Sequence, residues 1–101
     1  MKYRTLWMPQ AGAFIKSLAP EARREIRQAI KKLAEGKTAG LDLRTLEGSL
    51  QGYMRLRVRA YRVIYRVSAA TRGPALILVA AGARSTVYEA YEKILAEQTL
   101  E

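Results

Sequence analysis

Apolar residues recur at helical spacing in three segments of the chain. The longest of these runs from Pro20 towards Gly36, and proline in the first turn with glycine beyond the end is typical of a helix. Its apolar stripe comprises Ala22, Ile26, Ala29, Ile30 and Leu33, while arginines and lysines cover the opposite side. The same spacing predicts a shorter helix over residues 10–18 and a last helix over residues 87–95.

Strands are predicted where the pattern changes to alternation. Residues 53–59 alternate strictly, which sends Met54, Leu56 and Val58 to one face and Tyr53, Arg55, Arg57 and Arg59 to the other. Residues 61–68 follow almost directly, so the two segments form a hairpin. The apolar run 75–80 is typical of a strand covered on both faces. Residues 2–8 stop at a proline and suit a short strand at a sheet edge.

These elements predict an α+β fold in the order β-α-α-β-β-β-α. A twisted antiparallel sheet packs against two N-terminal helices and a C-terminal helix, and residues 1–101 form a single domain. Residues 36–43 carry two glycines without a clear period and are predicted to be a loop. Trp7 and Phe14 are expected in the core.

Composition narrows the chemistry that such a domain can perform. The chain has 18 Lys and Arg against 9 Asp and Glu, a net charge of +9 that indicates a polyanionic partner. It has no cysteine and no histidine, which excludes disulfides, thiol nucleophiles and imidazole catalysis. Without a metal-ligand cluster, we expect no metal and no other cofactor. No segment resembles a signal peptide or a membrane span, so a cytoplasmic protein without membrane contact is expected.

The arginines are concentrated in the strand half of the chain. Residues 48–88 contain seven arginines and no acidic residue. A solvated surface usually mixes both signs of charge, and the planar guanidinium suits phosphate, so this bias favours nucleic-acid binding over a merely solvated face. The residues expected to bind nucleic acid are Tyr53, Arg55, Arg57 and Arg59, with Tyr53 able to stack on a base.

Several motifs together resemble the RelE/ParE superfamily of bacterial toxin–antitoxin toxins. They are a Leu-x-Gly over residues 46–48, a Tyr-Arg-Val-x-Tyr over residues 61–65 and a Gly-x-Arg-x-x-x-Tyr over residues 82–88. The segments 14–26 and 33–36 are similar to the two helices of that superfamily. The resemblance covers almost the whole chain and implies the same α+β fold.

The resemblance implies one of two activities. RelE-like members are mRNA interferases that cut mRNA at the ribosome, and ParE-like members inhibit DNA gyrase without nuclease chemistry. The positions that RelE-like toxins fill with catalytic residues are Arg62, Arg84 and Tyr88 here, which favours the endoribonuclease. DNA gyrase remains the alternative target. A cognate acidic antitoxin, RelB-like or ParD-like, is the implied protein partner.

The resemblance also implies a role for each of these residues. Where RelE has lysines on the central strand, this chain has Arg55 and Arg57, and arginine is not deprotonated in proteins. Tyr88 is then the expected general base for attack of the ribose 2′-OH on the adjacent phosphate. Arg62 is expected to stabilise the phosphorane, and Arg84 to hold the scissile phosphate.

Overall fold

The computed structural model describes residues 2–70, 73–83 and 86–99. The strands within this part of the chain are β1 (Arg4–Trp7), β2 (Asp42–Thr45), β3 (Met54–Val58), β4 (Tyr61–Ala70) and β5 (Gly73–Ala83). The helices are α1 (Pro9–Lys16), α2 (Pro20–Ala34) and α3 (Thr86–Thr99), and a short 3₁₀ turn covers Gly48–Leu50. Among these helices, none is long and apolar enough to cross a membrane.

The strands form one mixed sheet in the order β1-β5-β4-β3-β2. The predicted α+β class is confirmed, with three helices on a sheet, and the β3–β4 hairpin is confirmed as well. Two details differ from the sequence prediction. β1 lies parallel to β5, because α1 and α2 carry the chain away before β2 starts the antiparallel part of the sheet. β2 forms partly within the predicted loop, where four residues are too few to show a period.

Two helices cover one face of the sheet. Ile15 of α1 and Ile26 and Ile30 of α2 are buried against the strands. The strand residues beneath them are Leu56, Val63, Tyr65, Leu76, Leu78 and Ala81. This cluster is the main hydrophobic core, and burial of its apolar surface is what holds α1 and α2 against the sheet.

The third helix covers the opposite face. Val87 and Tyr91 of α3 are buried in a second cluster with Leu50, Ile64, Ala75, Ile77, Val79 and Ala80. β5 is therefore covered on both faces, as its continuous apolar run predicts. We call the two sides of the sheet the α1–α2 face and the α3 face.

The expectation of a core tryptophan is wrong. Trp7 is 38% exposed, and its neighbours Leu6 and Met8 are also exposed, because β1 is an edge strand with one neighbouring strand among the described residues. The prediction of an edge strand at this place is confirmed. Phe14 does pack against the main core, where its ring meets Tyr61 edge to face with centroids 6.1 Å apart.

Candidate nucleic-acid interface

Strand register places four arginines in two adjacent rows on the α3 face. Directly opposed residues in antiparallel strands point to the same side of the sheet. One row across the strands reads Asp42, Arg57, Arg62 and Gly82, and the next reads Arg44, Arg55, Ile64 and Ala80. We call Arg44, Arg55, Arg57 and Arg62 the basic face.

Arg57 and Arg62 face each other across the β3–β4 hairpin. Their recorded hydrogen bonds go to backbone carbonyls of the hairpin turn: Arg57 Nε donates to Arg59 O at 3.0 Å, and Arg62 Nη1 donates to Ala60 O at 2.8 Å. None of the ion pairs formed by the described residues involves either arginine. Because like charges directly opposite each other repel, this pair is suited to an anionic ligand.

Arg55, one of the residues expected to bind nucleic acid, is buried. Alternation does place it on the α3 face, but the residue is only 7% exposed. Its Nη2 donates a hydrogen bond to Asp42 Oδ1 and forms an ion pair with it. A buried guanidinium needs such a partner, because leaving the charge without one is costly. Asp42 lies on β2, a strand that the sequence pattern does not reveal.

The expectation that Arg59 shares this face is wrong. β3 ends at Val58, and Arg59 adopts a left-handed backbone conformation (φ 56°) in the turn before β4. The alternation therefore stops one residue early. Arg59 Nη2 lies 2.8 Å from Oε1 of Glu25 on α2, so the side chain lies on the α1–α2 face.

Tyr53 lies against α3 instead of standing free. Its half-buried ring packs edge to face on Tyr91, with centroids 5.3 Å apart, at the border of the second hydrophobic cluster. Burial raises the pKa of Tyr91, a side-chain hydrogen bond with Tyr53 and the Tyr53 charge raise it further, and Arg66 opposes them. Tyr91 is therefore a structural tyrosine that stays protonated.

The raised pKa of Tyr91 predicts how stability depends on pH. The folded protein holds this proton more tightly than the unfolded chain, so the unfolded state binds fewer protons once the pH passes the ordinary tyrosine value of 10.0. We expect the free energy of unfolding to fall as pH rises above about 10. Urea denaturation of wild type and Tyr91→Phe between about pH 8 and 11 measures this. An equal decline in the two proteins would contradict the assignment.

The start of α3 stands beside Arg62. Arg62 is paired with Gly82 on β5, and a Cβ on Gly82 would come within 3.0 Å of the Val87 Cβ. A side chain at this position would force Val87 to shift by a few tenths of an ångström. Tyr88, the next residue, is half-buried against the second cluster. The fold thus brings Arg62 and the turn that carries Tyr88 to the same end of the sheet.

Arg84 lies outside the described residues. It follows Ala83, where β5 ends, and precedes Thr86, where α3 begins. Among the residues that the structure describes, no three acidic side chains are grouped to hold a metal ion. The groups available for chemistry are therefore the guanidiniums of the basic face, the carboxylate of Asp42 in the same row and the phenol of Tyr88 on α3.

A groove of about 770 Å³ opens on the α1–α2 face, between β1, α1 and α2. Its apolar lining includes Tyr3, Trp7, Met8, Ile15 and Ile30. Its charged lining consists of Lys2, Lys16, Arg27 and Lys31, with Glu35 as the acidic member. The groove thus has an apolar lining whose charged members are mainly basic. The sequence pattern does not predict it, because it depends on exposure of the β1 edge.

Comparison with known families gives a match over most of the chain. Residues 6–88 match the model of a family described as the ParE toxin of type II toxin–antitoxin systems, parDE. A comparison with curated proteins finds no match.

Solved structures of toxins share the fold. The RelBE2 toxin–antitoxin complex of Mycobacterium tuberculosis aligns with a TM-score of 0.67 at 16% identity, covering 83% of this chain and 100% of that chain. The RelB–RelE complex of Methanococcus jannaschii aligns at 0.66 and 20% identity, covering 85% and 98%. The YoeB/ParE toxin of Agrobacterium tumefaciens aligns at 0.67 and 21% identity, covering 80% and 98%.

Proposed function

The chain belongs to the ParE toxin family of type II toxin–antitoxin systems, and from this premise we propose that it acts as an endoribonuclease that cleaves mRNA at the ribosome. The observation that carries this choice is the Arg57–Arg62 pair. Arg57 and Arg62 are directly opposed and form none of the ion pairs among the described residues. Arg62 pairs with Gly82, on which the first turn of α3, the turn that bears Tyr88, packs. Such a pair suits a phosphodiester, whose charge grows in the transition state of cleavage.

The proposed reaction is internal transesterification of RNA. The ribose 2′ oxygen forms a bond to phosphorus, the bond from phosphorus to the 5′ oxygen breaks, and the products are a cyclic phosphate and a 5′-hydroxyl. Tyr88, as its phenolate, accepts the proton of the 2′-OH, and water supplies the proton that the leaving 5′ oxygen needs. Arg62 stabilises the charge that develops on the phosphorane, and Arg84 holds the scissile phosphate.

Tyr88 is proposed as the general base because the charged groups on the α3 face are not suited to accept the proton of the 2′-OH. Arg55, Arg57 and Arg62 stay charged at any working pH. Asp42 lies on β2, which β3 and β4 separate from β5 and the start of α3. The phenol of Tyr88, in the first turn of α3, is therefore the group that remains.

Inhibition of DNA gyrase without nuclease activity is the second candidate. Two observations favour it: the matching family model is described as a ParE toxin, and Asp42 neutralises one arginine of the basic face. In this case the arginines would bind an acidic protein surface or DNA, and Tyr88 would contribute only packing.

The two candidates are separated with purified protein. The toxin is incubated with translating ribosomes and a defined mRNA, and in parallel with gyrase and relaxed plasmid. We expect mRNA fragments with cyclic phosphate and 5′-hydroxyl ends, and unaffected supercoiling. Intact mRNA together with blocked supercoiling would replace the first candidate by the second.

We propose that an acidic antitoxin neutralises the toxin. Its apolar contact is proposed to lie in the groove between β1, α1 and α2, and an acidic segment would cover the groups around Arg62, Arg84 and Tyr88. The basic residues of the groove and the basic face both favour an acidic chain that folds as it binds. The neighbouring M. tuberculosis and M. jannaschii structures are complexes of a toxin with its antitoxin.

The association rate of the antitoxin is expected to fall with salt. Charge steers the encounter, whereas apolar contact holds the complex, so the dissociation rate should change less. Screening is already substantial at physiological ionic strength, where the Debye length is about 8 Å. Stopped-flow measurements over a series of salt concentrations report both rates. An association rate indifferent to salt would show that the antitoxin does not approach through the basic surfaces.

A further inference from the structure

Arg55 is a buried arginine with unused hydrogen-bonding capacity. A guanidinium carries five N–H donors. Its recorded hydrogen bond runs from Nη2 to Asp42, and Nε is buried without a hydrogen-bond partner within the part of the chain that the structure describes. A buried donor without a partner is costly, so a natural protein that keeps one needs a reason beyond packing.

Asp42 reaches this guanidinium from the surface. Arg55 is 7% exposed, whereas the side chain of Asp42 is 54% exposed. The carboxylate therefore connects the buried guanidinium with solvent. An anion in the position of the carboxylate would meet the same Nη2 group without any movement of Arg55.

Asp42 also lies in the same row of the sheet as Arg57 and Arg62. Asp42 lies directly opposite Arg57 on β3, and Arg57 lies directly opposite Arg62 on β4. In these two rows of described residues, one carboxylate faces the four guanidiniums of the basic face. The Asp42 carboxylate is an anion beside Arg55 and Arg57, which is where a phosphate bound to these two arginines would lie.

We propose that Asp42 occupies a phosphate position of the basic face, formed by Arg55 and Arg57, and that a phosphodiester of RNA replaces it there. The inference rests on the proposed RNA-binding function of this face. In the free protein Arg57 and Arg62 are the open phosphate contacts, and Arg55 is held by Asp42. Asp42 thus weakens the binding of polyanions by removing one contact. The competing explanation is an ion pair that only joins β2 to β3.

Neutralising Asp42 tests the proposal on RNA binding. Asp42→Asn keeps the shape and a hydrogen-bond acceptor but removes the charge. The matched control is Glu21→Gln, which makes the same change in net charge at the exposed start of α2, on the other side of the sheet. Fluorescence anisotropy with a labelled single-stranded oligoribonucleotide, titrated at several salt concentrations, gives the affinity and its salt dependence for each protein.

We expect Asp42→Asn to gain one phosphate contact. The slope of log K against log salt should steepen by about 0.7, which corresponds to roughly fivefold tighter binding at about 0.1 M salt. Glu21→Gln should bind nearly as wild type does. Equal slopes for the two variants would overturn the proposal while leaving RNA binding by wild type intact. Failure of all three proteins to bind RNA would instead count against the proposed function.

A second measurement covers the possibility that Asp42→Asn is poorly folded. Inorganic pyrophosphate is added to each protein, and thermal unfolding is followed by circular dichroism. We expect pyrophosphate to raise the melting temperature, or restore the folded fraction, more in Asp42→Asn than in wild type or Glu21→Gln, because the anion replaces the lost carboxylate. An equal response in all three would show that Asp42 is only a strand-joining ion pair. A larger response in Asp42→Asn would support the phosphate position even if RNA were not the ligand.

Discussion

Replacing Arg62 by alanine is expected to lower the rate of RNA cleavage by about 10²–10³-fold, as the loss of one transition-state hydrogen-bond donor does in other enzymes. The fold should persist. Arg62 is half-buried on a strand, its recorded hydrogen bond goes to Ala60 O, and its removal relieves repulsion with Arg57. Single-turnover cleavage of a ribosome-bound mRNA gives the rate, and circular dichroism checks the fold.

Two further variants make the Arg62 result specific. Arg24→Ala removes the same charge from an exposed position of α2 and should leave the rate within a factor of a few. Arg62→Lys keeps the charge but loses the planar fork, so an intermediate rate is expected. Cleavage by folded Arg62→Ala at the wild-type rate would remove this residue from the reaction.

The largest effect on stability is expected from Leu78→Ala. Leu78 lies on β5, is 0% exposed and belongs to the main core beneath α1 and α2. Truncating a leucine in such a place costs about 2–5 kcal/mol, because transfer free energy is lost and a cavity remains. In a domain of about this size the melting temperature should fall by roughly 10–30 °C. Thermal and urea unfolding measure the change.

Leu6→Ala is the matched control for this variant. The substitution is chemically the same and lies in the same sheet, but Leu6 is on the edge strand β1 and is 46% exposed. A loss of about 1 kcal/mol or less is expected, since less apolar surface returns to water. Similar losses for the two variants would mean that the core is not centred on β5.

The sequence was sufficient to predict the elements in which apolar residues recur with one period over many positions. α2 carries its apolar stripe over 15 residues, and the segment that forms β3 alternates strictly between apolar and polar positions. The class of the fold and the side of the sheet on which Arg55 and Arg57 lie followed from these periods. Such local patterns report which face a residue takes, because that face is decided by the pitch of the backbone.

The features that the sequence pattern did not predict depend on how the strands and turns assemble. The partner of buried Arg55 is Asp42, thirteen residues earlier on a strand of four residues. Arg59 leaves the basic face because one residue adopts a left-handed conformation. Trp7 is exposed because β1 is at the edge of the sheet. No periodic pattern in the sequence predicts these three features, because each is determined only when the strands assemble.

The central claim, cleavage of mRNA by the basic face, is tested most directly by mapping transcript ends in bacteria. Wild type and Arg62→Ala are expressed from an inducible promoter to equal levels, and the 5′ ends of all transcripts are sequenced shortly after induction. We predict new 5′-hydroxyl ends within translated regions, in phase with codons, for wild type and their absence for Arg62→Ala. Intact transcripts in cells that stop growing with broken DNA would contradict the claim and favour gyrase as the target.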